Sequence, residues 1–361
     1  MYINKIILKN YRNYSFQEIL LNKDINIFFG DNAQGKTNII EAIYISSIGK
    51  SFRTKRDLDL INIEKKNENT SGIEIEFEKK DRKGNIKINI NEKKEIYIND
   101  VKLNKLSEIL GNINIVLFSP DDIKLFKDGP AKRRKALDIM IGQLRPAYIY
   151  NLNIYLKTLE QRNNYLRLIK YEKKTKEFLE ILDEKLAEYA EKIFLYRKEY
   201  IEKIKNKITN IHLKITEEKE KINIEFNSDF KNKEKFLNLL KQERDNDIQK
   251  GYTTKGIHRD DYKISINDKD INIFGSQGQH RTVLLSLKIS ELNIIHDEIG
   301  ESPILLLDDF MSELDEKRRK NLLENIDDTQ VIITCTEKFK ILKKEQNIFY
   351  VEKGSIKKLD F

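Results

Sequence analysis

The chain has 361 residues, which is enough for one large domain or for two ordinary domains that each bury a core. Its 67 Lys and Arg residues outnumber its 59 Asp and Glu residues, and the resulting net charge of +8 favours a polyanionic partner such as nucleic acid. A nucleotide-skewed genome would produce the same bias toward Lys, Asn and Ile, so the charge alone leaves the partner open.

Cysteine content and the length of the apolar runs indicate the cellular compartment of the protein. The single cysteine, Cys335, excludes an internal disulfide, and the four histidines have no zinc-ligand spacing. The N-terminal residues carry charged and amide side chains instead of the apolar stretch of a signal peptide, and no apolar run is long enough to span a membrane. The sequence therefore predicts a reduced, cytoplasmic protein without a membrane partner.

Strand-like and helix-like patterns divide the chain. Residues 1–119 combine short apolar or alternating runs with a helix-like segment after Gly35, which predicts a sheet packed with a helix. Residues 147–250 contain neither glycine nor proline and are therefore predicted to be mostly helical. Apolar residues from Phe178 to Ile215 recur every three or four positions, which predicts a helix of about 40 residues and roughly 60 Å.

The segment Tyr150–Tyr171 is a candidate partner for that helix. The pair could form a lobe packed on itself or an extended coiled coil, and the sequence leaves both open. After Gly251, strand and turn patterns return. We therefore predict an α/β head assembled from residues 1–125 and 250–361, with a mostly helical inserted lobe over residues 126–249.

One segment fits the phosphate-binding P-loop pattern G-x-x-x-x-G-K-[ST], and it lies between the apolar run Ile25–Phe29 and a helix-like segment. The glycines let backbone N–H groups turn toward a phosphate, and the following helix adds the positive end of its dipole. Lys36 supplies a cation for the β- and γ-phosphates, and Thr37 supplies a hydroxyl for Mg²⁺. The segment predicts a nucleotide site made of Gly30, Asp31, Asn32, Ala33, Gln34, Gly35, Lys36 and Thr37.

An uninterrupted apolar run, Ile304–Leu307, ends in the carboxylates of Asp308 and Asp309. This is typical of a buried parallel strand that delivers acids to the carboxyl edge of a sheet, where ligands bind. Asp308 is the candidate Mg²⁺ ligand, and Asp309 is the candidate general base, which we group with Lys36 as catalytic. Adjacent side chains on a strand point to opposite faces, so both acids can serve one phosphate only if the strand ends there.

A third segment, Gly275–Gln279, precedes a helix-like run, and we call it the signature turn. Hydroxyl and N–H groups at a helix N-terminus can bind an anion, although the same residues would also serve as an ordinary helix cap. Because the P-loop already provides a phosphate cradle, a second one is useful if it closes over the nucleotide of a neighbouring molecule.

Together these three segments resemble the nucleotide motifs of the ABC ATPase superfamily, and the split head resembles its SMC-like branch. Within that branch the chain is similar to the RecF family of bacterial DNA replication and repair proteins. Further stretches with this resemblance span both halves of the head, namely Asn10–Tyr14, Ser51–Thr54, Phe118–Asp122, Gly129-Pro130 with Arg133-Arg134, and Gly256–Asp261.

The resemblance implies a composite nucleotide site and a homodimer. Ser276 and Gly278, with Gln277 and Gln279 beside them, would contact the γ-phosphate held by a second copy of the chain. ATP would then join two heads, and hydrolysis would release them. The stretch Ser312–Asp315 matches the D-loop, which lies at that interface in the superfamily.

The resemblance also implies roles around the phosphates. Arg12 and Asn32 match positions that line them, and Thr336 stands where many relatives place a switch histidine. Asp309 stands where many relatives have a longer glutamate, which implies slow hydrolysis. Asp121–Asp122 falls in the region of the Q-loop, although its glutamine has no counterpart that can be placed.

The family's activity implies a weak, DNA-dependent ATPase that uses ATP and Mg²⁺ and binds duplex or gapped DNA. With the RecO and RecR proteins, such a protein helps to load the RecA recombinase. Contacts from Lys and Arg to DNA phosphates would dominate that binding and make it sensitive to salt. Each DNA-contact candidate could also be an ordinary solvated charge, and the candidates are Arg53, Lys55, Arg56, Arg133 and Arg134.

Other functions remain as alternatives. An ABC transporter ATPase subunit would share the three nucleotide motifs, but its insert is usually compact, whereas the helical stretch here is long. A different SMC-like ATPase, working with a nuclease or condensing DNA, would need a longer coiled coil than residues 126–249 provide.

Overall fold

The computed structural model describes residues 1–62, 64, 70–172, 174–309, 319, 322, 328–337 and 345–359. Its chain divides into two compact units. Unit 1 contains Met1–Ile123 and Arg281–Phe361, and unit 2 contains Lys124–His280. The N- and C-terminal segments therefore fold together, as expected for a split head, and the segment between them forms a unit of its own.

Strands predominate in the first segment of the chain, and helices in the middle segment. In the first segment of unit 1 they are β1 (Tyr2–Tyr11), β2 (Tyr14–Leu20), β3 (Ile25–Phe29), α1 (Lys36–Ile48), β4 (Ser71–Lys79), β5 (Arg82–Ile90), β6 (Lys94–Ile98), β7 (Val101–Lys102) and β8 (Ile115–Phe118). Unit 2 continues with α2 (Lys124–Lys127), α3 (Pro130–Leu144), α4 (Pro146–Glu172), α5 (Glu177–Ile215), β9 (Ile222–Asn227), α6 (Lys233–Gln242), α7 (Arg244–Lys250), β10 (Asp261–Ile266), β11 (Lys269–Asp270) and α8 (Ile271–Phe274). The last elements are α9 (Gln277–Ile299), β12 (Ile304–Asp308), β13 (Val331–Cys335), β14 (Gln346–Glu352) and β15 (Ser355–Leu359). Within the described residues, no helix is both long and apolar enough to cross a membrane.

A mostly parallel sheet in unit 1 carries the P-loop and the acidic strand end. Its strand order is β15-β14-β3-β13-β12-β8. Neighbouring strands run parallel except for the antiparallel hairpin of β14 and β15. The strands β12 and β13 are buried along their whole length, which explains why their sequences are nearly continuous apolar runs. Because β3, β13 and β12 are parallel neighbours, their carboxyl ends meet at one edge.

An antiparallel sheet in the same unit has the order β2-β1-β4-β5-β6-β7. Along β4, buried residues alternate with partly exposed ones, as in a sheet with one packed face. The helix α1 contacts strands of both sheets, and residues 39–47 of it are all buried. A helix that is buried all round has to be largely apolar all round, so the helix that follows the P-loop is part of the core.

The long helix predicted for the insertion is confirmed in unit 2. The helix α5 has 39 residues and packs along α4, which covers the predicted partner segment. It also contacts α3, α6 and β9, so these helices form a lobe packed on itself. Phe178 was expected on the apolar face but is 47% exposed in the first turn of α5, where its ring packs in a T-shaped arrangement with Tyr165.

The strand β9 lies inside the stretch that was expected to be mostly helical. The turn before it places Glu217 and Glu218 at φ values of 53° and 61°, so the chain turns there without a glycine. Since β9 pairs with β10, strand pairing joins the chain after residue 250 to the insertion. Residues 250–280, which the sequence assigned to the head, consequently pack in unit 2.

Buried arginines connect the elements of unit 2. Arg162 on α4 donates to Asp183 of α5 at 2.6 Å and to Asp247 of α7 at 2.7 Å. Arg197 on α5 donates to Asp260 at 2.9 Å. Both arginine side chains are almost completely buried, and burying a guanidinium is tolerated only when carboxylates pair with it. These ion pairs therefore fix how the helices of the lobe meet.

We expect Arg162→Met to lower the free energy of unfolding by about 3 to 5 kcal/mol, since it leaves the carboxylate of Asp247 buried without its cation and removes one of the two arginines that pair with Asp183. Chemical denaturation followed by circular dichroism would measure this. Arg167→Met is the matched control, because Arg167 is exposed on the same helix and should cost less than about 1 kcal/mol. Equal losses in the two variants would contradict the role given to Arg162.

Candidate functional site

The P-loop connects β3 to α1, and its glycines are required by the backbone. Gly30 has a φ of 152°, and a Cβ there would lie 2.3 Å from the carbonyl oxygen of Val351. Gly35 has a φ of 116°, and a Cβ there would lie 2.5 Å from Nδ2 of Asn13. Only glycine fits both this conformation and this space. The loop can therefore wrap closely around a phosphate at the N-terminus of α1.

The turns of two β-hairpins donate hydrogen bonds to the P-loop. Asn13, between β1 and β2, donates from Nδ2 to the carbonyl oxygen of Gln34 at 2.7 Å. Between β14 and β15, the backbone N–H of Lys353 donates to Oε1 of Gln34 at 2.7 Å, and that of Gly354 donates to the carbonyl oxygen of Gln34 at 3.3 Å. Gln34 thus anchors the loop to both turns.

Lys36 lies at the base of the loop and is only 4% exposed. Its ammonium group donates to the carbonyl oxygens of Gly30 at 2.8 Å and of Asp31 at 2.9 Å. These bonds hold the cation across the loop, where a phosphate oxygen can take the place of a carbonyl. Asp31, Asn32 and Ala33 are exposed at the tip of the loop.

The P-loop and the acidic strand end meet through Thr37 and Asp308. The hydroxyl of Thr37 donates to Oδ1 of Asp308 at 2.9 Å, and the hydroxyl of Thr334 on β13 donates to the same oxygen at 2.8 Å. Burial raises the pKa of the Asp308 carboxyl above its ordinary value, while the hydrogen bonds from Thr334 and Thr37 act in the opposite direction. A hydroxyl and a buried carboxylate are oxygen donors of the kind that Mg²⁺ takes, so the predicted ligands fit this ion.

Both carboxylates can serve one ligand only if β12 ends between them, and this condition is met. The strand β12 ends at Asp308, and Asp309 turns away with a φ of 48°. Its backbone N–H donates to the carbonyl oxygen of Thr334 at 3.2 Å and to the hydroxyl oxygen at 3.0 Å. Thr334 therefore holds the carboxylate of Asp308 and the backbone of Asp309, although the sequence pointed only to Thr336, which is exposed beyond the end of β13. The available signal was a threonine within an otherwise apolar run.

The buried carboxylate of Glu41 on α1 contacts side chains from two of the stretches that resemble the RecF family. Arg12 binds it in bidentate fashion, with Nε 2.8 Å from Oε2 and NH2 2.6 Å from Oε1. The hydroxyl of Ser51 donates to Oε1 at 2.5 Å, and Arg53 lies 3.5 Å from Oε2 while donating to Oδ1 of Asn38 at 2.7 Å. Arg12 and Arg53 therefore lie against the P-loop helix, and the residue that positions them, Glu41, was not marked by any motif.

The DNA-contact candidates lie in different surroundings. Lys55 and Arg56 are exposed. Arg133 is buried in a bidentate ion pair with Asp261, with Nε–Oδ1 at 2.7 Å and NH2–Oδ2 at 2.9 Å. Arg134 is partly buried and donates to a backbone carbonyl at 2.7 Å. The expectation for Arg133 is corrected, because a buried side chain whose charge is already paired inside unit 2 is not placed to meet a DNA phosphate.

The signature turn caps α9. The backbone N–H of Ser276 donates to Oε1 of Gln279 at 2.9 Å, and the backbone N–H of Gln279 donates to the hydroxyl oxygen of Ser276 at 3.2 Å. This reciprocal pair is a capping box. Ser276 and Gln277 are exposed, and Gly278 and Gln279 are partly exposed. The turn is thus an ordinary helix cap whose leading residues face solvent, where an anion can approach.

Other predicted features lie at the margins of the site. The D-loop match, Ser312–Asp315, falls outside the described residues. In the Q-loop region directly after β8, Oδ2 of Asp122 accepts a hydrogen bond from the backbone N–H of Ser119 at 2.8 Å, while Asp121 is exposed. Asp122 therefore stabilises its own turn.

Comparisons with known proteins agree with this arrangement. The model of the RecF/RecN/SMC N terminal domain family matches residues 2–357. The DNA replication and repair proteins RecF of Acetivibrio thermocellus and of Clostridium botulinum (strain ATCC 19397 / Type A) are 43% and 44% identical to this chain. The alignments cover 94% and 99% of this chain and 94% and 100% of the relatives. The chain belongs to the RecF family.

Solved structures extend the similarity to the fold. A structure of the recombination mediator protein RecF-ATP in the RecFOR pathway matches with a TM-score of 0.93 and 38% identity, covering 99% of this chain and 98% of the other. An Smc head bound to the C-winged helix domain of ScpA matches with a TM-score of 0.60 at 18% identity, covering 99% and 97%. The predicted ABC/SMC-type head is thus confirmed, and membership of the RecF family is supported in three dimensions.

Replacing Lys36 with alanine should weaken ATP binding by about 100-fold, because the loop loses the cation that faces the phosphates. Titration with a fluorescent ATP analogue would measure the affinity. Lys50→Ala removes the same charge just beyond the other end of α1, where the residue is exposed, and should leave the affinity unchanged. Undiminished affinity in Lys36→Ala would contradict this site.

Replacing Thr334 with valine should slow ATP hydrolysis by about 10- to 100-fold while changing ATP affinity little, because the Asp308 carboxylate loses a donor and the backbone N–H of Asp309 loses an acceptor. Single-turnover hydrolysis and nucleotide titration would separate the two effects. Thr336→Val is the matched control at the next outward position. If hydrolysis falls in Thr336→Val and not in Thr334→Val, Thr336 takes the role of the switch histidine and Thr334 does not.

Proposed function

We propose that this protein is an ATP-driven DNA-binding protein of replication and recombinational repair that acts in the cytoplasm. The observation that carries the proposal is the 2.9 Å hydrogen bond between Thr37 and Asp308, which joins the P-loop to an acidic strand end in one site. The full-length similarity to RecF proteins supports the assignment to DNA replication and repair.

The chain's own residues account for binding and slow hydrolysis of ATP. The P-loop backbone and Lys36 would hold the β- and γ-phosphates, and Thr37 and Asp308 would hold Mg²⁺, which neutralises phosphate charge when bound. Asp309 would polarise the attacking water. Its carboxylate is one methylene shorter than a glutamate, which favours a weak ATPase whose hydrolysis resets a switch. DNA binding would stimulate that hydrolysis.

The signature turn would complete the nucleotide site of a second copy of this chain. Exposed Ser276 and Gln277 stand at the N-terminus of α9, where the helix dipole favours an anion. Ser276 and Gly278 would contact the γ-phosphate held by the other P-loop, with Gln279 supporting the turn. ATP would then draw two heads together into a homodimer, and hydrolysis would release them.

The paired heads would bind duplex or gapped DNA through phosphate contacts. Exposed Lys55 and Arg56 are the strongest candidates among the predicted cations, and Arg53 connects that stretch to α1 through Asn38. Binding through phosphates would depend on salt and not on sequence. A related solved structure is described as a recombination mediator of the RecFOR pathway, which supports a role with RecO and RecR in loading RecA.

The alternatives gain no specific support. A transporter ATPase would need a partner in a membrane, and an SMC-like ATPase that condenses DNA would need arms longer than α4 and α5, which pack against other elements of unit 2. We call the ATP-joined pair of heads bound to DNA the clamp. It accounts best for the nucleotide site, the lobe and the net charge of +8 together.

The test is binding of the purified protein to a gapped duplex with and without ATP and Mg²⁺, while light scattering reports its mass. We expect ATP to double the mass and to permit DNA binding that weakens at least tenfold between about 50 and 200 mM salt. A doubled mass without DNA binding would retain the ATPase head and refute the DNA role. A mass that does not change with ATP would refute the clamp.

Ser276→Asp and Ser276→Asn form a matched pair for this assay. Both side chains cap a helix well, so α9 should stay intact in each. The aspartate would repel the phosphate of the neighbouring copy, whereas the asparagine has the same shape without the charge. Ser276→Asp should bind ATP normally yet remain monomeric, and Ser276→Asn should still pair. Equal dimer fractions in the two variants would count against the composite site.

A further inference from the structure

The orientation of the Gln279 side chain decides the geometry of the signature turn. Its Oε1 accepts the backbone N–H of Ser276 at 2.9 Å, and its backbone N–H donates to the hydroxyl oxygen of Ser276 at 3.2 Å. Because the hydroxyl oxygen of Ser276 accepts from within the turn, its hydrogen can point outward to an acceptor such as a phosphate oxygen. If the amide of Gln279 rotated by half a turn, two N–H donors would face each other at Ser276.

A carboxylate outside the turn fixes this orientation. Nε2 of Gln279 donates to Oε1 of Glu220 at 2.9 Å. An ionised carboxylate can only accept hydrogen bonds, so the NH₂ group of Gln279 has to face Glu220 and the amide oxygen has to face Ser276. Glu220 lies in the short segment between α5 and β9, far from the signature turn along the chain.

Glu220 is itself held by the last turn of α5. Its Oε2 lies 3.3 Å from Nε2 of His212, whose side chain is completely buried. Burial lowers the pKa of His212 below its ordinary value, so the ring is neutral at neutral pH. A chain of contacts therefore runs from α5 through Glu220 and Gln279 to Ser276.

We propose that Glu220 is a positioning residue for the composite nucleotide site, because it holds Gln279, and through it Ser276, in the orientation that meets the nucleotide of a second copy of this chain. The inference rests on the proposed function, since it specifies how the signature turn is prepared for pairing. It gives α5 a role in ATP-driven dimerisation, although none of its residues belongs to a nucleotide motif.

An exchange of amide and carboxylate tests this role. In Gln279→Glu the new carboxylate still accepts from Ser276, so the cap of α9 is retained, but it faces Glu220 with a like charge. We expect at least about tenfold more ATP to be needed for half-maximal dimerisation. In the double variant E220Q/Q279E, the NH₂ group of Gln at position 220 donates to the carboxylate at 279, and its oxygen faces His212. Dimerisation should then return to within about threefold of the wild-type protein.

The measurement is mass by light scattering across a series of ATP concentrations in Mg²⁺, with ATP affinity and thermal stability measured for each variant. A merely structural role would change the melting temperature and leave the dimer fraction of the folded protein unchanged. Glu218→Gln is the matched control, because it removes a charge from an exposed position two residues away and should leave dimerisation as in the wild-type protein.

The outcomes separate this inference from the proposed function. If the wild-type protein dimerises with ATP but Gln279→Glu dimerises equally well, Glu220 does not position the turn. If the double variant stays as weak as Gln279→Glu, the new charge acts directly on the nucleotide and the positioning role is wrong, while the clamp stands. If the wild-type protein stays monomeric with ATP, the clamp fails and the inference fails with it.

Discussion

The contact between Thr37 and Asp308 is the point on which the nucleotide site depends, because it joins residues 271 positions apart in the chain. It exists because β3 and β12 flank β13 in a parallel sheet, so that their carboxyl ends reach the same edge. Thr334 on the middle strand donates to the carboxylate of Asp308 and accepts from the backbone N–H of Asp309. The pairing of strands therefore brings the P-loop and the acidic strand end together by itself.

Stretches of the chain that resemble the RecF family but lie outside the nucleotide motifs act largely as supports. The turn at Asn13 holds Gln34 of the P-loop, and Arg12 and Ser51 meet on buried Glu41 beneath it. In unit 2, Arg133 closes a bidentate pair with Asp261. Such charged pairs tolerate burial only while both partners are present, which ties distant stretches of sequence to each other.

The two units contribute different parts of the proposed cycle. Unit 1 holds the P-loop, the carboxylates and Thr334, whereas the leading residues of the signature turn belong to unit 2. Within unit 2 the turn is connected through Glu220 to the end of a 39-residue helix. In the proposed cycle the long helix would be more than a spacer, since the position of its last turn would bear on the residue that meets a neighbour's nucleotide.

The sequence by itself determined the features that local spacing encodes. The P-loop, the apolar strand ending in Asp308 and Asp309, and the long helix predicted from Phe178 to Ile215 all follow from residues close together in the chain. Tertiary structure decided the rest. Thr334 and Glu220 act on residues far away in sequence, Arg133 proved to be internally paired, and β9 drew residues 250–280 into unit 2. Each of these contacts depends on which distant segments pair. A single sequence carries no direct signal for such pairing, because only the folded chain brings the two positions within a few ångströms.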